Sequence, residues 1–283
     1  MPDRVAVIGA RGMLGQDLCL ELSNEGFDVV ALGHEDIEIT GRDETIAKIK
    51  ELKPLYVVNV AAYTRVDDAE KHREQAYRVN GLGVQNLALA CSESKALLCH
   101  VSTDYVFSGN SNQPYTPFDT TSPINFYGLS KLSGEQFIRD MLERFYIVRT
   151  SWLYAHHGRN FVRTILRLAS ERDTLKVVDD QIGSPTWTVT LSKGIIRIIR
   201  SGAFGIHHVT DRTEGGISWY RFACEIIKLK GLKTEVKPIS TSEYPTPAKR
   251  PRYSVLDLFF TEVSTGFKAP HWIDSLRECL KRI

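Results

Sequence analysis

In the stretch NFYGLSK, Tyr127 and Lys131 stand one helical turn apart, so their side chains share a helix face. The segment VSTDYVF, residues 101–107, precedes them and reads as the end of a strand carrying Ser102, Thr103 and Asp104. A free tyrosine titrates near 10. A lysine ammonium within a few ångströms favours phenolate and brings the phenol toward the range useful for proton transfer. A neighbouring threonine hydroxyl can hold the same substrate oxygen. Thr103, Tyr127 and Lys131 are therefore expected as a catalytic set for reduction of a carbonyl, with the proton coming from Tyr127.

Such a reduction needs a hydride source, and the N-terminus offers a place for one. In GARGMLG, Gly9, Gly12 and Gly15 lie between the strand RVAVIG and a helix in which Leu14, Leu18 and Leu22 recur. The first glycine permits a tight turn, the second lets backbone approach a pyrophosphate, and the third lets helix pack on strand. The helix N-terminus adds free N–H groups and a positive dipole end. Gly9, Arg11, Gly12, Met13, Leu14 and Gly15 are read as the cofactor's diphosphate site. The second strand ends ALGH, with no carboxylate before Glu35. Arg11 and His34 are placed to receive a ribose 2′-phosphate instead, which favours NADPH and leaves NADH open.

Strands at 4–9, 27–32, 56–62, 97–103 and 145–152 must position these groups, separated by helices that include 74–94 and 128–143. Alternating strands and helices, with strands apolar on both faces, predict an α/β fold with a Rossmann-type doubly wound parallel sheet. Residues 1–150 are read as the cofactor-binding domain and 151–283 as mainly a smaller substrate-binding domain, with parts of 160–200 returning to the first.

The 36 basic and 34 acidic residues among 283 leave a net charge of +2, which argues against a nucleic-acid partner. No apolar run approaches a membrane span, so a cytoplasmic protein without a membrane partner is expected. The five cysteines form no CxxC pair. His156–His157 has no carboxylate at ligand spacing along the sequence, so no metal is expected. Lys249, Arg250 and Arg252 read equally as a diphosphate clamp or as a solvated loop.

The ordered set GARGMLG, STDYVF and YGLSK resembles the extended short-chain dehydrogenase/reductases. Within them, VNVAAYTRVDDAE, RTSWLYAHHGRNF, VVDDQIGSPT and YPTPAKRP are similar to segments of the dTDP-4-dehydrorhamnose reductase family. The resemblance runs from residue 4 to about 260. It implies reduction of the C4 ketone of dTDP-4-dehydro-L-rhamnose by NAD(P)H, with Lys131 also holding the nicotinamide ribose. It further implies that Ala62, Tyr63 and Thr64 line the cofactor. Val66, Asp104, Val106 and Trp152 would lie along the substrate sugar. IEIT at 37–40 stands where the family has Leu-Asp-Ile-Thr, so Glu38 and Ile39 are expected near the adenosine. Asp17 is the one remnant of the acidic site that joins two subunits in some members, which leaves monomer or homodimer open. Two alternatives stand beside the reductase: another nucleotide-sugar reductase or epimerase, and a non-catalytic NADP-binding subunit like that of methionine adenosyltransferase.

Overall fold

Val5 and Val7 point to one face of the first strand and Ala6 and Ile8 to the other, and all four are buried. Burial on both faces is what a parallel sheet between two helical layers requires. In the computed structural model, which describes residues 2–283, the first half supplies five strands to this sheet: β1 (Arg4–Ile8), β2 (Asp28–Leu32), β3 (Tyr56–Asn59), β4 (Leu97–Thr103) and β5 (Phe145–Thr150). A sixth, Gly205–His208, pairs with β5, giving the parallel order β2–β1–β3–β4–β5–(205–208). Only the edge strand β2 is mostly half-buried. The fold is the doubly wound α/β sheet expected from the sequence.

Helices α1 (Met13–Asn24), α2 (Arg42–Leu52), α3 (Val66–Ala69), α4 (Arg73–Tyr77), α5 (Gly83–Ser94) and α6 (Phe126–Met141) connect the strands. Leu14, Leu18 and Leu22 of α1 join Val5, Val7, Val58 and Val148 in one core layer. Leu87 and Ala88 of α5 and Ile138 of α6 join Ala6, Ile8 and Leu98 in the other. Each fully buried Leu or Ile contributes about 1.5–3 kcal/mol.

The second half holds α7 (Phe161–Glu171), α8 (Thr188–Ser201), α9 (Trp219–Leu229), α10 (Phe259–Thr265) and α11 (Trp272–Lys281). Tyr154, Phe222, Ile226, Trp272 and Leu276 form its own core. The parallel pair Thr174–Val178 and Glu235–Ile239 lies in the same part of the chain. Helix α8 instead packs on α1, and the strand after it completes the large sheet. Among the described residues, no helix is long and apolar enough to cross a membrane.

At three places the elements depart from the sequence reading, where a side chain takes a backbone group or the helix changes its turn. The third strand, expected to run to 62, stops at Asn59, whose Oδ1 accepts the Ala61 N–H at 3.0 Å. Helix α6 starts at Phe126 rather than 128, since Asn125 Oδ1 accepts the Gly128 N–H at 2.8 Å. The helix expected over 74–94 contains a π turn at Arg78–Leu82. There Asn80 accepts from Tyr63 N at 2.8 Å and donates to Tyr63 O and Ser130 Oγ at 3.0 and 2.9 Å.

Candidate active site

Strand order reverses between β1 and β3, and ligands of open α/β sheets bind beyond the carboxyl ends of the strands at such a point. A cavity of about 780 Å³ lies there. One end is the glycine turn, with Gly9, Arg11, Gly12, Met13, Leu14 and Gly15 on its wall. Gly9 has φ +85°, and a Cβ on it would lie 2.7 Å from Ala61 N. A Cβ on Gly15 would lie 2.3 Å from Gly9 O. Chain packing alone thus demands glycine at both positions. Gly12 caps α1 without a side chain, so the first-turn amides stay free to meet anionic oxygens. The donor set fits a dinucleotide diphosphate.

Thr103, Tyr127 and Lys131 lie on the same cavity, with Ala62, Thr64, Val66, Asp104 and Trp152. Thr103, at the end of β4, donates to Asp104 Oδ1 at 3.0 Å and accepts from Tyr105 N at 3.2 Å. Burial pushes Asp104 up to about 7, against the lowering effect of its hydrogen bonds. Its Oδ2 is buried without a partner, as are the hydroxyls of Ser102 and Thr150 on the same cavity. Unpaired buried polar atoms at strand ends are what a polar ligand would satisfy.

The expectation that Lys131 lowers the Tyr127 phenol is corrected. Burial pushes Tyr127 up to about 12, with the Thr103 hydroxyl working against that and the Asp104 charge adding to it. Lys131 Nζ is turned elsewhere: it donates to Val101 O at 2.7 Å and lies 3.2 Å from His100 Nε2. Burial also pulls Lys131 down to about 8, while Glu135 acts to raise it. Tyr127 is thus held as a neutral phenol, ready to donate.

Four other expected residues do not reach the cavity wall. Val106 is fully buried with Phe107, Tyr115, Leu132 and Leu256, because the 3₁₀ turn Asp104–Val106 turns it inward. Tyr63 packs with Ala69, Ala76 and Tyr127 behind the wall. Ile39 is buried in the α2/α5 core layer. Glu38 accepts from Thr40 Oγ1 at 2.9 Å and pairs with His34 at 2.8 Å. His34 itself, with Gly33, does line the cavity, and Arg11 beside them is paired with Glu35.

Within the basic run at 249–252, Arg250 already has a partner. Arg250 makes a two-pronged pair with Asp67, at 2.5 and 2.7 Å, and so ties this loop to α3. The histidine pair does have a carboxylate neighbour after all. Asp17, His156 and His157 bring ligand atoms within 4.8 Å of one another. Asp17 accepts from Thr188 and lies 3.2 Å from His157 Nε2, while burial lowers His156 and the Asp17 charge acts to raise it. The Asp17–His157 contact ties α1 to the loop at 156–160.

Residues that spacing did not find are Trp219, Arg159, Asn80 and His100. Trp152, at φ +46°, stacks on Trp219 with centroids 3.5 Å apart and planes at 10°, and both indoles face the cavity. Trp219 sits 67 positions further along, and only the fold brings it there.

The family described as "RmlD substrate binding domain" matches residues 3–283. The spore coat polysaccharide biosynthesis protein SpsK of Bacillus subtilis is 41% identical, covering 98% of this chain and 97% of its own. A dTDP-4-keto-6-deoxy-D-glucose reductase of Streptomyces niveus is 43% identical over 90% of this chain and 89% of its own. The crystal structure of dTDP-4-dehydrorhamnose reductase from Bacillus anthracis in complex with NADP superposes with a TM-score of 0.96 at 38% identity, covering 100% of both chains. Matched along its length in sequence and in fold, this chain belongs to the RmlD substrate-binding-domain family.

Proposed function

We propose that this protein reduces the C4 ketone of dTDP-4-dehydro-L-rhamnose to dTDP-L-rhamnose, taking hydride from NADPH and a proton from Tyr127. One observation carries the reading: Thr103, Tyr127 and Lys131 share the cavity that begins at the glycine turn. The Bacillus anthracis reductase, so similar in fold, holds NADP. The nicotinamide, when bound, supplies the hydride. Thr103 Oγ1 orients the C4 oxygen, and Tyr127 gives that oxygen its proton as the alcohol forms. Lys131, as ammonium, stabilises the phenolate left behind and holds the ribose. The phosphates rest on the first-turn amides of α1. Residues 1–150 with 188–208 serve the cofactor, and most of the remainder serves the substrate, with the stacked pair Trp152–Trp219 as one wall against the sugar.

The test is loss of reduced-nicotinamide absorbance with purified protein, NADPH and dTDP-4-dehydro-L-rhamnose. dTDP-4-keto-6-deoxy-D-glucose serves as the competing substrate, since a relative named for its reduction is equally similar. Faster turnover of that sugar would replace the first as substrate. The regulatory-subunit alternative gains nothing from relatives that are named as reductases.

Two variants probe the division of labour. Lys131→Met is expected to weaken NADPH binding about tenfold and lower kcat about a hundredfold, since it removes both a ribose contact and the phenolate's counter-charge. Unchanged NADPH affinity by fluorescence titration would remove the ribose role. Trp152→Ala is expected to cost about tenfold in kcat/KM, chiefly through KM, because it removes one of the two indole surfaces at the substrate end of the cavity. A fall confined to kcat would point away from a substrate contact.

A further inference from the structure

His100 is fully buried on β4, directly across from Asn59 of β3 and under Lys131 of α6. Among the described residues, its two ring nitrogens have one hydrogen-bonding neighbour each, at 3.0 Å (Asn59 Nδ2 to Nδ1) and 3.2 Å (Lys131 Nζ to Nε2). Counting hydrogens decides what each can be. The Ala61 N–H needs an acceptor and finds Asn59 Oδ1 at 3.0 Å. That fixes the amide so that its NH₂ faces His100. Nδ1 must then accept, and a neutral imidazole carries its proton on Nε2, pointing at Lys131. A doubly protonated ring would turn N–H groups on both the Asn59 NH₂ and Lys131, and burial also acts against its charge.

A neutral amine satisfies this arrangement. Nζ accepts from His100 Nε2–H with its lone pair and donates to Val101 O at 2.7 Å. An ammonium does not, because it has no lone pair and two donors would then face each other. From this geometry we infer that His100 is a positioning residue for Lys131: its tautomer, set by Asn59, disfavours the ammonium in the parked position. The charged form is thereby released toward Tyr127 and the ribose. The inference rests on the role given to Lys131 under the proposed function. The other groups around Lys131 are Tyr127 and Glu135 on α6 and Asp104 past the end of β4. Arg149 on β5 is paired with Glu135.

Nitrogen-15 NMR of histidine-labelled protein reads the tautomer directly, without turnover, and His100→Gln identifies the signal. The expected state is Nε2–H. Asn59→Asp, which supplies an acceptor to Nδ1, should switch it to Nδ1–H. In kinetics, the glutamine of His100→Gln can present its carbonyl oxygen to an ammonium. The basic limb of kcat/KM should therefore move up by about one pH unit in that variant. Asn59→Asp should move it the same way, which keeps the test open if His100→Gln does not fold. A residue that only fills space would leave the limb where the wild type has it. An Nδ1–H tautomer in the wild type, or a limb unmoved in a folded variant, would overturn the inference. Absence of turnover on the rhamnose precursor would count against the proposed function alone, since the tautomer is still read.

Discussion

Tyr127→Phe is expected to lower kcat by about 10²–10⁴-fold while NADPH affinity changes little, since one oxygen is lost and it is the one that donates the proton. Stopped-flow absorbance gives kcat, and fluorescence titration gives the affinity. Because burial holds the Tyr127 phenol up to about 12, it stays protonated throughout neutral pH. The loss should therefore be the same from pH 6 to pH 8. Lys131, held down to about 8, loses its charge within a unit or so of neutrality. A reductase that needs the ammonium should thus slow as pH rises through about 8, long before the phenol ionises. That basic limb belongs to Lys131. Near wild-type turnover in Tyr127→Phe would pass the proton-donor role to Asp104, whose carboxyl burial raises to about 7.

The parts of the site legible in sequence are those whose spacing is local. Gly9, Gly12 and Gly15 fall in one turn, and Tyr127 and Lys131 in one helical turn, so the residue types alone constrain their geometry. The strands were legible for the same reason, because Val5–Ile8 and Leu97–Thr103 are buried on both faces and read as nearly continuous apolar runs. What sequence misjudged were contacts that cross the fold. Lys131 has neighbours from β4 as well as α6, and one of them, His100, had no motif to mark it. Val106, set along the substrate sugar only by the family resemblance, is turned into the core by a single 3₁₀ turn. Arg250, in a basic run, is taken by Asp67 from 183 positions away. Asp17 meets His157 across 140 positions. Charged side chains choose partners by proximity in three dimensions, and composition carries no record of that.

The same crossing of the fold makes Glu135→Leu the most destabilising substitution expected near the site. Arg149 and Glu135, 1% and 0% exposed, form a two-pronged pair at 3.0 and 2.7 Å, with the guanidinium 5.1 Å from the Phe107 ring centroid. Removing the carboxylate leaves a buried guanidinium with no counter-charge, which costs about 3–5 kcal/mol. Urea unfolding should show a lower midpoint at unchanged slope. The double variant Glu135→Leu/Arg149→Met removes both charges and should recover most of that loss, because the desolvation cost goes with the pair. If the double variant were no more stable than Glu135→Leu, the cost would lie in lost packing rather than in the unpaired charge. The pair also reaches into the chemistry. Glu135 acts to raise Lys131, so the double variant, though refolded, should lose its ammonium at lower pH than the wild type. Its basic limb should move down, opposite to that of His100→Gln. Stability and proton affinity would then separate in a single protein. That separation would assign the buried carboxylate a second role, holding Lys131 charged, which a merely structural ion pair does not have.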